Sequence, residues 1–183
     1  MQPTNTIYAV IGVLLSLSGP LCHPVRSQST APTLQQAKQT LEAGAYDQAE
    51  TYLRQVVIQQ PESAEAYFNL GLSLHLQMEL EAAIKTYQQA IQLDPTYDQP
   101  YTNMGLALIE SNQLDAASTV FNQVLSLPER VESPASIHTL AHYNLAIIWK
   151  RQGKLAAASK EVDAALAITP NFAQAQKLRR MLH

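Results

Sequence analysis

The stretch AEAYFNLGLSLHLQMELEAAIKTYQQAIQLDPTY, residues 64–97, decides the fold. Tyr67, Leu70, Gly71 and Leu74 fall at the separations of one helix face. Leu80, Ala83, Tyr87 and Ala90 renew that pattern after a short break, and Pro95 closes the unit. The spacing predicts a helix, a turn and a second helix. Gly71, Ala83 and Ala90 are small where two backbones must come close, while Tyr67, Leu70, Leu74 and Tyr87 fill the remaining space. Such a hairpin covers only one of its sides, so about three or more stacked copies are needed.

The copies are present. Residues 30–63 carry Gly44, Tyr46, Ala49, Leu53 and Pro61 in register, but Thr33, Gln36 and Ala37 stand where the reference copy has Tyr67, Leu70 and Gly71. A more polar end that caps the stack is expected there. Residues 98–131 align Tyr101, Met104, Gly105, Leu108, Leu114, Ala117 and Phe121. Pro128 then arrives one residue early, Glu129 to His138 departs from the period, and an insertion is placed at 132–138. Ser133 before Pro134 reads as an N-cap and first helical position, which predicts that the fourth copy's first helix starts there and projects by one or two turns. That copy, residues 139–172, continues with Leu145, Ala146, Trp149, Gly153, Leu155, Ala158, Val162, Ala165 and Pro170. Residues 173–183 read as a capping helix. With Phe172, the stripe Ala175, Leu178 and Leu182 is expected to cover the face bearing Trp149 and Val162.

With a period of about 34 residues, the chain resembles the tetratricopeptide-repeat family over nearly all of its length beyond the first residues. The resemblance implies an all-α, right-handed α-solenoid of about four helix-turn-helix repeats plus a C-terminal capping helix. It also implies a non-catalytic adaptor whose first helices line a concave groove for an extended peptide or partner helix. Carried over by position, the groove would present Gln35, Lys38 and Leu41, then Phe68, Asn69, Leu72 and His75. It would continue with Thr102, Asn103, Leu106 and Ile109, and end with Tyr143, Asn144, Ile147 and Lys150. Asn69, Asn103 and Asn144 share one place in successive hairpins, so they form a ladder of amides that can pair with peptide backbone or serve as inherited scaffold. Leu72, Leu106 and Ile147 run beside it as an apolar strip. With Phe68 and Tyr143, this strip favours a partner offering an apolar helix face or alternate apolar side chains. The subset of the family that clamps peptide carboxylates would need cations where Leu34, Thr102 and Asn144 stand, so that activity is not expected.

A net charge of −3 at pH 7 argues against general nucleic-acid binding, which needs a basic face for phosphates. Charge is nonetheless uneven. Between residues 28 and 148 the cations are Lys38, Arg54, Lys85 and Arg130, whereas Lys150, Arg151, Lys154, Lys160, Lys177, Arg179 and Arg180 crowd the end. This asymmetry could orient an acidic partner, lie against anionic lipid or favour head-to-tail self-association.

Residues 7–17, IYAVIGVLLSL, are apolar but shorter than the roughly 20 residues of a membrane span. They fit the core of a secretory signal, and Val25, Arg26 and Ser27 suit a cleavage site. The expectation is a signal peptide at 1–27, a linker at 28–32, and a protein exported to the periplasm or beyond. A membrane-associated N-terminal anchor is the alternative, because no Lys or Arg precedes Ile7 and the site is not Ala-x-Ala. Cys22 is the only cysteine; Leu21 before it does not suit a lipidation signal, and cleavage after Ser27 would leave a chain without disulfides.

No phosphate loop, nucleophile elbow or zinc-protease signature occurs, and no cofactor is expected. His138 and His142 lie one helical turn apart and could hold zinc with a third ligand such as Glu132, but His142 occupies the place of Tyr67 and Tyr101 inside a hairpin. Trp149 replaces Leu74 and Leu108 in register, as core filling. The leading expectation is therefore an exported adaptor that binds a protein or peptide and aids assembly of an envelope or membrane complex. A self-associating scaffold is the alternative, and a metal-dependent enzyme the remote one.

Overall fold

The computed structural model describes residues 31–129 and 135–182. The expected signal or anchor, residues 28–30 of the linker, and Ser133 with Pro134 lie outside the described residues. Among the described residues the regular elements are all helices: α1 Leu34–Glu42, α2 Tyr46–Gln59, α3 Ala64–Leu76, α4 Leu80–Leu93, α5 Asp98–Glu110, α6 Leu114–Val124, α7 Ile137–Arg151, α8 Leu155–Ile168 and α9 Ala173–Leu182. They pair as the hairpins α1/α2, α3/α4, α5/α6 and α7/α8, and α9 packs on α8.

Each second helix also packs on the first helix of the next hairpin, which makes the stack continuous. Contacts that skip an element run between first helices, α1 to α3, α3 to α5 and α5 to α7. A stack drawn together along one row of helices bends toward that row, so the first helices form its inner wall.

The small-against-large logic of the reference stretch is literal. A Cβ on Gly71 would come within 2.6 Å of the Tyr87 ring, and one on Gly105 within 2.5 Å of the Phe121 ring. The end hairpins have Ala37 with Leu53 and Ala146 with Val162 at the matching places, where a smaller partner faces a larger first-helix residue.

All four hairpin turns share one backbone device. Gly44, Met78, Asn112 and Gly153 have φ of +78, +63, +60 and +75°. In the second hairpin Met78 N–H donates to His75 O and Glu79 N–H to Leu74 O; in the others Ala45, Gln113 and Lys154 bond back to Thr40, Leu108 and Trp149 in the same way. This is the left-handed helix stop with paired back-bonds, for which Gly is the least strained residue. Hairpins are further tied along the turn edge by glutamine amides: Gln77 donates to Glu50 (3.0 Å), Gln113 to Glu81 (2.9 Å) and Gln152 to Asp115 (2.9 Å). Burial opposes ionisation of Glu50, but hydrogen bonds from Arg54 and Gln77 and the Arg54 charge prevail, holding the carboxyl below its ordinary range.

Thr33 and Gln36, which break the pattern in the first copy, have another task. The Thr33 hydroxyl accepts from Gln36 N–H while the Gln36 side chain accepts from Thr33 N–H, so together they cap α1.

Two expectations need correction. The fourth hairpin begins at Ile137, not at Pro134. Ser136 is extended (φ −67°, ψ 161°), and its hydroxyl accepts from Thr139 N–H, which makes it the cap. At 15 residues against 13 in α3 and α5, α7 gains about half a turn rather than one or two. That extra half-turn is held down, because Ile137 is buried and His138 Nε2–H donates to Leu127 O (2.9 Å). The second correction concerns α9. Phe172, Ala175 and Leu178 are buried as expected, but in a cluster with Ala146, Val162, Ala165 and Leu166. Trp149 packs against the other core cluster, which runs from α1 to α7, with Lys154 Nζ 4.8 Å from its ring centre. Helix α7 divides the two: Ile137, Ala141, Leu145 and Ile148 join the first, and Leu140, Tyr143, Ala146 and Ile147 the second.

Candidate functional site

The inner wall is built from the first helices, whose half-exposed faces remain after the second helices have covered the rest. The three asparagines share one geometry. Nδ2 of Asn69, Asn103 and Asn144 donates to the carbonyl four residues back, Glu65, Gln99 and Leu140, at 2.7, 3.0 and 2.9 Å. An amide on a helix finds that acceptor readily. Asn69 and Asn144 are only 6 % and 7 % exposed, whereas Asn103 is half-exposed, so the central member of the ladder offers the most amide to a partner.

Beside them Leu72, Leu106 and Ile147 are half-buried, part core and part surface. Phe68 is 9 % exposed and packs edge-on to Tyr97, with ring centres 5.3 Å apart. Tyr143 repeats that contact with Phe172 at 5.4 Å, since both pairs span 29 positions. Burial and nearby Glu65, Asp98 and Asp94 push the Tyr97 phenol up to about 12, so it stays a neutral hydrogen-bonding group at physiological pH. Leu41 and Ile109 are buried, Thr102 is half-exposed, and Gln35 and Lys150 are exposed.

Lys38 and His75 on this wall have carboxylate partners on the neighbouring hairpin, partners that periodicity alone does not reveal. Lys38 Nζ sits 2.6 Å from Glu65 Oε1, whose hydrogen bond and charge hold the ammonium above its ordinary range. His75 Nε2 lies 2.9 Å from Glu110 Oε2, and the Tyr87 hydroxyl lies 3.4 Å from its Nδ1. This arrangement fits Tyr87 O–H donating to the ring and the ring donating to the carboxylate. Burial, with the Glu110 carboxylate nearby, raises the Tyr87 phenol well above its usual range. His138 and His142 are engaged separately, the first with Leu127 O and the second through Nδ1 with Glu161 Oε2 at 2.7 Å. Among the described residues no group of three His, Cys, Asp or Glu is placed to hold a metal ion.

Tyr143, Ile147 and Lys150 come together at the last hairpin, where α7 and α9 flank a cavity of about 530 Å³. Its apolar floor is Tyr143, Ile147, Leu178 and Met181, and Lys150, Arg151 and Lys177 stand around it. The α9 contribution is missed when groove positions are carried over only from the four full repeats. The register itself continues, with Lys177 at the place of Phe68, Thr102 and Tyr143, and Met181 at that of Leu72, Leu106 and Ile147.

A tetratricopeptide repeat profile matches residues 34–98 and 102–173, and a second profile of the same description matches 74–127. No curated protein matches the chain. Among solved structures, MamA from Desulfovibrio magneticus is 16 % identical, with a TM-score of 0.68 over 80 % of this chain and 78 % of that one. PilF of Pseudomonas aeruginosa is 22 % identical, with a TM-score of 0.69 over 81 % of this chain and 64 % of that one. A thermophilic tetratricopeptide protein of Thermus thermophilus is 18 % identical, with a TM-score of 0.64 over 80 % and 77 %. At these identities the likeness is one of fold. With the period, the turn device and the Gly–aromatic pairs all in register, the chain belongs to the tetratricopeptide repeat family.

Proposed function

We propose that the chain is a non-catalytic, exported adaptor that holds a protein or peptide against the inner wall of its first helices and aids assembly of an envelope or membrane complex. The observation that carries this reading is the wall itself. Leu72, Leu106 and Ile147 remain half-exposed in one register, with half-exposed Thr102, Asn103 and Tyr143 beside them. An apolar strip with a few polar groups is what an extended or helical segment needs for affinity and register. The family supplies protein-binding scaffolds in general, and the apolar run at residues 7–17 supports export.

The test is affinity capture from an envelope extract, identification of the partner, and a binding measurement with both components purified. Changing Asn103, Leu106 and Ile147 to Ala should weaken binding about tenfold or more while the helical circular dichroism stays unchanged. Unaltered affinity in a folded variant would remove the wall from the account. The alternative, a self-associating scaffold, is favoured by the cations gathered from Lys150 onward. It requires a mass that rises with concentration at low salt, and a constant monomer mass would dismiss it.

A further inference from the structure

Along most of the inner wall, the basic side chains are engaged within the molecule. Lys38 is matched by Glu65 and His75 is bonded to Glu110; on α2, Arg54 is matched by Glu50. The cavity between α7 and α9 is different. Lys150 and Lys177 have no carboxylate partner among the described residues. Arg151 gives one N–H to Ile109 O (3.0 Å) and keeps its other donors. The acids of this end are engaged elsewhere, Glu161 with His142 and Asp163 with Arg179 at 3.9 Å. Among the described residues, three cations without a carboxylate partner therefore surround an apolar floor whose low-dielectric walls strengthen their field. The floor is open to a visitor, since Met181 is 58 % exposed, and its thioether adapts to varied apolar shapes. Because Lys177 and Met181 continue the first-helix register, this cavity extends the same wall.

We propose that this cavity is a subsite for an acidic peptide segment carrying one bulky apolar anchor, the anchor seated on Tyr143, Ile147, Leu178 and Met181 and flanking carboxylates paired with Lys150, Lys177 and Arg151. The inference deepens the adaptor reading and rests on it. A volume of about 530 Å³ has room for a bulky side chain together with the neighbouring residues of a short segment. The cations are gathered at one mouth rather than spread as a stripe, which matches a short acidic segment better than a lipid surface. The chain's own N-terminal segment does not meet the requirement, for residues 1–30 contain no Asp or Glu.

The experiment measures fluorescence anisotropy of a short labelled peptide, one phenylalanine flanked by glutamates, against the full chain. Controls are the same peptide with glutamines for glutamates and with alanine for phenylalanine. The acidic, anchored peptide should bind, and each control should bind about tenfold more weakly or less. Lys150→Glu with Lys177→Glu should cost about tenfold or more and flatten the salt dependence, and Met181→Asp should act through the anchor. These side chains are exposed, so the fold is expected to persist, and circular dichroism checks it.

Equal binding of the glutamine peptide, or unchanged binding by the charge-reversed chain, would overturn the subsite. So would retention on phosphatidylglycerol vesicles that outcompetes the peptide through the same lysines. A dimer of the chain alone that charge reversal abolishes would do the same, by naming a second copy as the occupant. The variant altered at Asn103 and Leu106 separates the two readings. A natural partner lost by that variant but indifferent to Lys150 and Lys177 keeps the adaptor and removes the subsite. Peptide binding lost only on charge reversal keeps the subsite and removes the rest of the wall.

Discussion

Substituting Gly105 by Ala tests how the hairpins interlock. A methyl group there would lie 2.5, 2.7 and 3.0 Å from three atoms of the Phe121 ring, well inside van der Waals contact. Phe121 is fully buried and its ring is rigid, so relief requires α5 and α6 to part or the ring to leave its rotamer. Overpacking of this kind costs about 1–3 kcal/mol, and contact with three ring atoms places it near the upper end. Ala favours the helix over Gly by about 1 kcal/mol, which offsets part of that. The net expectation is a loss of about 2 kcal/mol, or roughly 4–8 °C in Tm for a chain of this size. Equilibrium urea melts followed by circular dichroism measure it. Phe121→Leu alone should cost about 1–2 kcal/mol through the space it opens. Combined with Gly105→Ala, it should be better tolerated than the two separate losses imply by about 1 kcal/mol. The end hairpins already pair Ala37 with Leu53 and Ala146 with Val162. A more stable Gly105→Ala chain, or strictly additive effects, would refute the claim that Gly105 and Phe121 are fitted to each other.

Met78 holds a left-handed φ of +63° with its side chain largely exposed, so Met78→Gly should raise stability by about 0.5–1 kcal/mol in the same melts, with no change expected if the turn is unstrained. Because the Glu50 carboxyl is held below its ordinary range in the folded state, its contribution is present above the unfolded value and lost as pH falls through the folded one. Glu50→Gln should therefore lower the urea midpoint at neutral pH, and the difference from the parent should vanish as pH falls through the carboxyl's lowered folded value. Truncation before Ala173 should uncover Val162, Ala165 and Leu166 and bring aggregation or lost cooperativity, while Trp149, in the other cluster, keeps its native emission wavelength. N-terminal sequencing of the protein recovered from its host should begin at Gln28, and a start at Met1 would favour the anchor.

Much of the architecture was legible because it depends on periodicity. Gly71 with Tyr87, Gly105 with Phe121 and the α9 stripe all follow from residue size at helical spacing. What escaped depends on neighbours in space or on backbone angles. Met78 has no sequence mark of a left-handed residue; only its alignment with Gly44 and Gly153 gives it away. Ser133 before Pro134 and Ser136 before Ile137 are both acceptable helix starts, and burial of Ile137 with the His138 bond to Leu127 accompanies the second. For the candidate site, position placed the residues on the first-helix row, but did not reveal that Asn69 and Asn144 are mostly covered or that Lys38 and His75 have partners one hairpin away. The cavity beside α9 joins side chains about 30 residues apart whose shared chemistry emerges only once α7 and α9 are set side by side.

The most direct measurement is hydroxyl-radical footprinting of the chain with and without its identified partner. The account predicts protection of Leu72, Leu106, Tyr143, Ile147 and Met181 on the first-helix row, with Ile58, Leu93 and Ile168 on the second helices labelled as before. Protection of Ile58, Leu93 and Ile168 with no change along the first helices would place recognition on the outer face and contradict it.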